Sequence, residues 1–109
     1  MVRVVLLGCG RWGQNHLRVL SSLRDQGIID SVTVVDPSQT ARDNAHLADN
    51  TFPTMDGVEA DLAIIASPAQ YHAPQAHQLL SNQYHVLVEK PLGCSEAEAA
   101  QVIACAQEN

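Results

Sequence analysis

Apolar residues in this chain fall into two patterns: short solid runs, and longer stretches where they return every three or four positions. Val2 to Leu7 is a solid, β-branched run that stops at glycine, the pattern of a strand buried on both faces. A helix is predicted next, from Arg11 to Gln26. Trp12, His16, Val19, Leu20 and Leu23 form its apolar stripe, and Gly27 is placed to end it. "SVTVVD" is a second strand ending at Asp36. Pro37 and Ser38 then open a helix carrying Ala41, Ala45 and Ala48 on one face. "TFPT" reads as a short edge strand, because Pro53 is costly within a sheet. "DLAIIAS" is another buried strand, "PAQYHAP" a loop, and Ala73 to Gln83 a helix with Pro74 in its first turn. "HVLVE" reads as a further buried strand. Ser95 and Glu98 have capping-box spacing, and Ala99, Val102, Ile103 and Ala106 form the stripe of a last helix.

Strands alternating with helices predict an α/β fold with a parallel sheet covered on both faces. The final apolar stripe leads to no further strand, so residues 1–109 are expected to be one truncated domain. Truncation leaves Val86 to Val88 as a bare sheet edge beside exposed apolar surface. That predicts self-association, and hence a homo-oligomer, by edge pairing or by stacking of the last helices.

Composition narrows the partners. The formal net charge is -6 and the five arginines are scattered, so no basic stripe invites nucleic acid. No apolar run approaches a membrane span, and Val4 to Leu7 is too short for a signal core. The three cysteines, Cys9, Cys94 and Cys105, show no paired spacing, which favours a reduced, cytoplasmic setting over a disulfide or zinc framework. His16, His46, His77 and His85 share no metal-ligand spacing and read as helix-face or strand-edge residues. No metal site is expected.

"LLGCGRWGQNH" holds the one strong local motif, Gly8-x-Gly10-x-x-Gly13, between a predicted strand and a predicted helix. Gly8 permits the tight turn, Gly10 permits close approach of a pyrophosphate, and Gly13 permits the helix to pack on the sheet. Free N–H groups at the helix start, around Arg11 and Trp12, complete an anion cradle. Asp36 follows Gly13 at about the 20-residue distance at which a strand-end carboxylate meets the adenosine ribose. The expected fold is therefore a Rossmann-type, doubly wound sheet of about five strands in the order 3-2-1-4-5, binding a dinucleotide. Asp36 repels a 2′-phosphate and Pro37-Ser38 supplies no arginine to receive one, so NAD is preferred to NADP. Trp12 either shields the pyrophosphate or packs beneath the helix. Cys9 is either a small filler or a thiol activated by the helix start.

The later strands also end in marked residues: Ser67, Pro68, Tyr71 and His72 after one, Glu89, Lys90 and Pro91 after the other. Ligands lie beyond the carboxyl ends of parallel strands, so these residues converge on the crevice of the glycine loop. Lys90 is the only lysine in the chain. It serves either as a proton-transfer group or as half of an ion pair with Glu89 or another acid. His72 either caps and packs or braces the crevice.

In their order and spacing, "VVLLGCGRWGQNH", "VVD", "IIASPAQYH" and "HVLVEKPLG" resemble the N-terminal domain of the Gfo/Idh/MocA oxidoreductases. The resemblance covers nearly the whole chain, and its Glu-Lys-Pro motif is the most specific part. The family usually shows Thr-Pro where Ser67-Pro68 stands here, a departure that keeps the hydroxyl. The resemblance implies transfer of hydride between NAD(P) and a hydroxyl of a sugar, cyclitol or nucleotide-sugar. It places Ser67, Pro68 and His72 on the nicotinamide side, Glu89 and Lys90 near the nicotinamide ribose and the substrate hydroxyl. For Lys90 it favours proton transfer by a lysine partly desolvated against apolar walls. It also implies that the last strand and a C-terminal substrate domain lie outside these residues, leaving this piece without turnover of its own. Two other classes stay open: a non-catalytic NAD(H)-sensing module, which would not need Lys90, and a methyltransferase, which would not need all three glycines.

Overall fold

A computed structural model describes residues 2–109. Five strands form one parallel sheet: β1 (Arg3–Leu7), β2 (Ser31–Val35), β3 (Asn50–Phe52), β4 (Leu62–Ile65) and β5 (His85–Val88), in the order β3-β2-β1-β4-β5. Four α-helices connect or follow them: α1 (Arg11–Asp25), α2 (Gln39–Asp43), α3 (His72–Ser81) and α4 (Glu96–Glu108). The predicted order and winding are those observed.

Alternation along β1 divides the core in two. Val4 and Leu6 join Leu17 and Leu20 of α1 with Val32, Val34 and Ile64 on one face of the sheet. Val5 and Leu7 join Ala63 and Ile65 with Ala73, Ala76 and Leu79 of α3 and Val102 of α4 on the other. Side chains two apart along a strand share a face, so both layers are required by the sequence of a single strand.

Three expectations about faces are corrected. In α1 the buried residues are Gly13, Leu17, Leu20 and Ser21, while Trp12 and Val19 face solvent. Gly13 decides this. A Cβ there would stand 2.1 Å from the Gly8 carbonyl oxygen, so only this edge of the helix can approach the sheet. In α4 the buried pair is Val102 and Cys105, and Ile103 and Ala106 point outward. Cys105 acts as a small apolar residue against α3, its Sγ near the His77 carbonyl and Ser81 Oγ. β5 is an edge strand buried on one side only: Val86 and Val88 pack against the core layer under α3, whereas Leu87 is 53% exposed because no helix covers it.

Local chemistry ends the elements as predicted or nearly so. At the end of α1, Gly27 has φ +78°, its N–H donates to Arg24 O, and Ile28 N–H donates to Leu23 O, the paired bonds of a Schellman motif. α2 is only one turn long. Ser38 Oγ caps it by accepting from Ala41 N–H, and the buried Ala45 lies beyond its end. α3 stops at Ser81, short of Gln83. At α4, Ser95 Oγ accepts from Glu98 N–H while Glu98 Oε1 accepts from Cys94 N–H, a capping box displaced by one residue. Asp49 Oδ2 accepts from both Val32 N–H and Arg24 Nη1, tying the end of α1 to the start of β2. Burial opposes the Asp49 charge, but these two donors outweigh it and hold the carboxyl below its ordinary range.

Candidate functional site: a cleft at the switch point of the sheet

Sheet order reverses between β1 and β4, and the loops leaving these two strands touch. Gly8, at φ +93°, lies so near the second loop that a Cβ would stand 2.5 Å from Ser67 N. Only glycine fits both the backbone angle and the contact. Above this point opens a cleft of about 1640 Å³. That exceeds the ~300–1,000 Å³ of sites for smaller ligands. Gly8, Gly10, Arg11, Trp12, Asp36, Ser67, Pro68, His72, Glu89 and Lys90 all border it. Gly13 does not; it works from beneath, setting how close α1 comes.

Gly10 is the N-cap of α1 and has no side chain to satisfy the first N–H groups. A Cβ built on it meets nothing within 4 Å, so the space above it belongs to the cleft. Arg11, Trp12 and Gly13 therefore present free N–H groups at the positive end of a 15-residue helix. Trp12 is 67% exposed and stands over the cleft; the packing role is ruled out.

Asp36 is fixed to this cradle. Its Oδ2 accepts from Cys9 N–H at 2.9 Å and its Oδ1 from Ser38 N–H at 2.9 Å. Each oxygen keeps a lone pair for another donor. The sequence gives no arginine directly after Asp36, but the fold brings one back: Arg42 Nη1 donates to the Asp36 carbonyl at 2.7 Å. Cys9 is buried, and burial, followed by the Asp36 charge, pushes its thiol above the ordinary range. The activated-thiol alternative is therefore closed, and Cys9 is a filler.

At the other end of the cleft, His72 is 3% exposed. Its Nδ1 lies 2.7 Å from the Pro91 carbonyl and its Nε2 2.6 Å from the Ser67 carbonyl. Carbonyl oxygens only accept, so a doubly protonated ring serves both and a neutral ring one at a time. His72 thus braces the crevice. Ser67 Oγ donates to Gln75 Oε1 of α3 at 2.5 Å. Glu89 N–H extends the sheet by donating to Ile65 O at 3.0 Å, and the Glu89 carboxylate pairs with His16 Nε2 of α1. The Lys90–Pro91 peptide is cis. Lys90 is exposed, not enclosed by apolar walls, and among the described residues no carboxylate lies within ion-pair distance of it. Glu89 is committed to His16, so the ion-pair reading of Lys90 loses its nearest candidate.

His16 and Gln75 are the residues sequence reasoning missed here. Gln75 sits one helical turn past Tyr71 and could have been suspected from the loop–helix junction. His16 lies 73 positions from Glu89, and nothing local links them. No three His, Cys, Asp or Glu side chains among the described residues cluster as a metal site. No helix of these residues is long and apolar enough to cross a membrane.

A family model described as "Oxidoreductase family, NAD-binding Rossmann fold" matches residues 2–109. Among curated proteins, a glycosyl hydrolase family 109 protein of Shewanella woodyi is 30% identical over 97% of this chain and 26% of its own length. The 4-carboxy-2-hydroxymuconate-6-semialdehyde dehydrogenase of a Sphingobium species is 32% identical over 98% of this chain and 35% of its own. Among solved structures, GenD2 from gentamicin A biosynthesis in complex with NAD superposes with a TM-score of 0.86 at 30% identity, over 98% of this chain and 32% of that one. The chain thus spans about a third or less of the length of these relatives.

Proposed function

Because the chain belongs to the Gfo/Idh/MocA oxidoreductases, matching their NAD-binding Rossmann domain, we propose that it is the cofactor-binding part of a longer NAD-dependent dehydrogenase. In this reading the parent moves hydride between nicotinamide and a hydroxyl of a sugar, cyclitol or nucleotide-sugar. A second domain supplies the substrate pocket, and these 109 residues alone turn over little. The relatives include a glycosyl hydrolase family member beside a dehydrogenase, so in this reading the substrate chemistry is set outside the shared domain. Three unpaired cysteines suit a reducing, cytoplasmic compartment.

One observation carries the proposal: three free N–H groups, the open space over Gly10 and the Asp36 carboxylate share one rim of the cleft. Those donors suit a pyrophosphate, and Asp36, already oriented by Cys9 and Ser38, suits ribose hydroxyls. The carboxylate repels a 2′-phosphate, and Arg42 is engaged with the Asp36 carbonyl, so NAD is favoured over NADP. The bound nicotinamide supplies the hydride acceptor. Ser67, Pro68 and His72 shape the wall on its side, and Lys90, exposed in these residues, takes the proton leaving the substrate hydroxyl once bound cofactor and the second domain enclose it and leave its amine neutral. Glu89 holds the strand end that carries Lys90.

Trp12 is the only tryptophan, so energy transfer from its indole to a reduced nicotinamide reports binding directly. Energy transfer with NADH and NADPH, and isothermal titration of both beside S-adenosylmethionine, should give the tightest binding with NADH. A tighter NADPH response would overturn the role given to Asp36, and preference for S-adenosylmethionine would overturn the dehydrogenase reading.

A further inference from the structure

β5 lies at the sheet edge, half its side chains face solvent, and its ladder to β4 ends at Glu89 N–H. The next regular element begins only at Glu96. The far part of the intervening segment is anchored, because Leu92 packs against the core, Gly93 lies against Glu98 and Ala99 of α4, and Cys94 N–H donates to Glu98 Oε1, but next to Lys90 only one backbone bond holds the chain to the sheet. Yet the residues on either side of Lys90 are both tied down, each by a histidine from a different element. The Glu89 carboxylate is held by His16 of α1, which crosses the opposite face of the sheet. The Pro91 carbonyl is held by Nδ1 of His72, the first residue of α3. The other His72 nitrogen faces the Ser67 carbonyl, so a doubly protonated ring fastens the Lys90 segment to the β4 loop as well. Lys90 itself is left exposed and without an ion-pair partner among the described residues.

We propose that His16 and His72 are positioning residues that clamp the Lys90 segment from both sides, fixing its backbone while leaving the amine free. The clamp rests, for its purpose, on the reading of Lys90 as the group that serves the nicotinamide end; its existence rests on the geometry alone. It also explains why Glu89 is engaged by α1 and not by the adjacent lysine. An acid paired with Lys90 would hold the amine, whereas an acid paired with His16 holds only the chain.

The composition of the chain provides the test. Lys90 is the only lysine and Phe52 the only phenylalanine, so ¹⁵N-Lys and ¹⁵N-Phe labelling yields one backbone amide signal from the clamped segment and one from β3 at the far sheet edge. In the native chain the Lys90 amide should relax as rigid backbone, with an order parameter of about 0.85. In His16→Ala and His72→Ala it should fall toward roughly 0.6 or below, with Phe52 unchanged. His16→Gln, which retains a donor for Glu89, should restore much of the loss. Lys90 order that matches the native chain in variants with a native Phe52 signal overturns the clamp. Should His72→Ala unfold, as loss of a signal dispersed like native Phe52 would show, Glu89→Ala removes the His16 arm from the partly exposed side. Unchanged Lys90 order in that variant overturns the clamp equally. The purpose is read separately: if NADH transfers energy from Trp12 but leaves the native Lys90 signal unmoved, the role of Lys90 at the nicotinamide fails while the clamp stands on its order parameter.

Discussion

Gly10 and Gly13 sit in one motif, three residues apart, and substituting alanine at each should produce opposite failures. At Gly13 a Cβ would stand 2.1 Å from the Gly8 carbonyl oxygen and 2.8 Å from its carbon. Both are backbone atoms, so no side chain can swing away, and α1 must move off β1 by an amount on the order of 1 Å. Overpacking of this kind costs about 3 kcal/mol or more, and the better helix propensity of alanine returns about 1 kcal/mol. The net loss of about 2 kcal/mol corresponds to a fall in Tm of roughly 8–16 °C for a domain of this size. At Gly10 the added methyl meets nothing within 4 Å and φ is −79°, so the fold accepts it. Replacing glycine by alanine at an N-cap costs only about 0.5 kcal/mol, or roughly 2–4 °C. That methyl occupies the space over the free N–H groups, so NADH affinity should fall about 10- to 100-fold, a cost of about 1–3 kcal/mol. Differential scanning fluorimetry and isothermal titration of both variants separate the two outcomes. A Gly10→Ala chain that binds NADH like the native one would refute the pyrophosphate placement, and a Gly13→Ala chain of native Tm would refute the packing account of α1.

Asp49 has a depressed carboxyl, so the stability it confers is fully present above its unfolded value of about 3.9 and is lost as pH falls through its lower folded value. Asp49→Asn should therefore cost about 1 kcal/mol or less at pH 7, and the deficit should shrink below about pH 4 in denaturant titrations. A deficit that grows in acid contradicts that sign. Cys94 is exposed while Cys9 and Cys105 are buried, Cys9 with a raised thiol, so a disulfide reagent at neutral pH should modify one thiol quickly. Mass spectrometry locating that label on Cys9 would revive the reactive-thiol reading. The bare β5 edge with Leu87 and Ile103 exposed should drive self-association at high concentration, and a sedimentation profile that stays monomeric argues against it.

The strands, their order and the glycine loop were legible because solid apolar runs between glycines and acids have few other readings. The faces of the helices were less so. In α1, Leu20 and Leu23 face the core as the apolar stripe predicts, but the closest contact with the sheet is made by a residue without a side chain, Gly13, which turns Leu17 inward and Trp12 and Val19 outward. In α4 the buried partner of Val102 is Cys105 and not Ile103, its Sγ lying against the His77 carbonyl and Ser81 Oγ of α3. The convergence of Asp36, Ser67 and Lys90 on one cleft followed from topology alone. The ties to Arg42 and His16 did not, because such partners are chosen by the curvature of the sheet and the reach of long side chains, neither of which leaves a local pattern.

The pairing of β1 with both β2 and β4 has a consequence for how the chain acquires its shape. Val4 lies against Val32 on one side and Leu62 on the other. β1 precedes both partners in the chain, and its second edge stays open until the chain has been made through Ile65. Every ladder in the sheet is parallel and joins distant segments, the arrangement that closes slowly and exposes apolar strands while it does so. During synthesis Val4 to Leu7 is an uncharged, apolar run that β2 can cover on one edge only. Until β4 emerges, β1 keeps an unpaired edge, the kind of surface on which another strand can add.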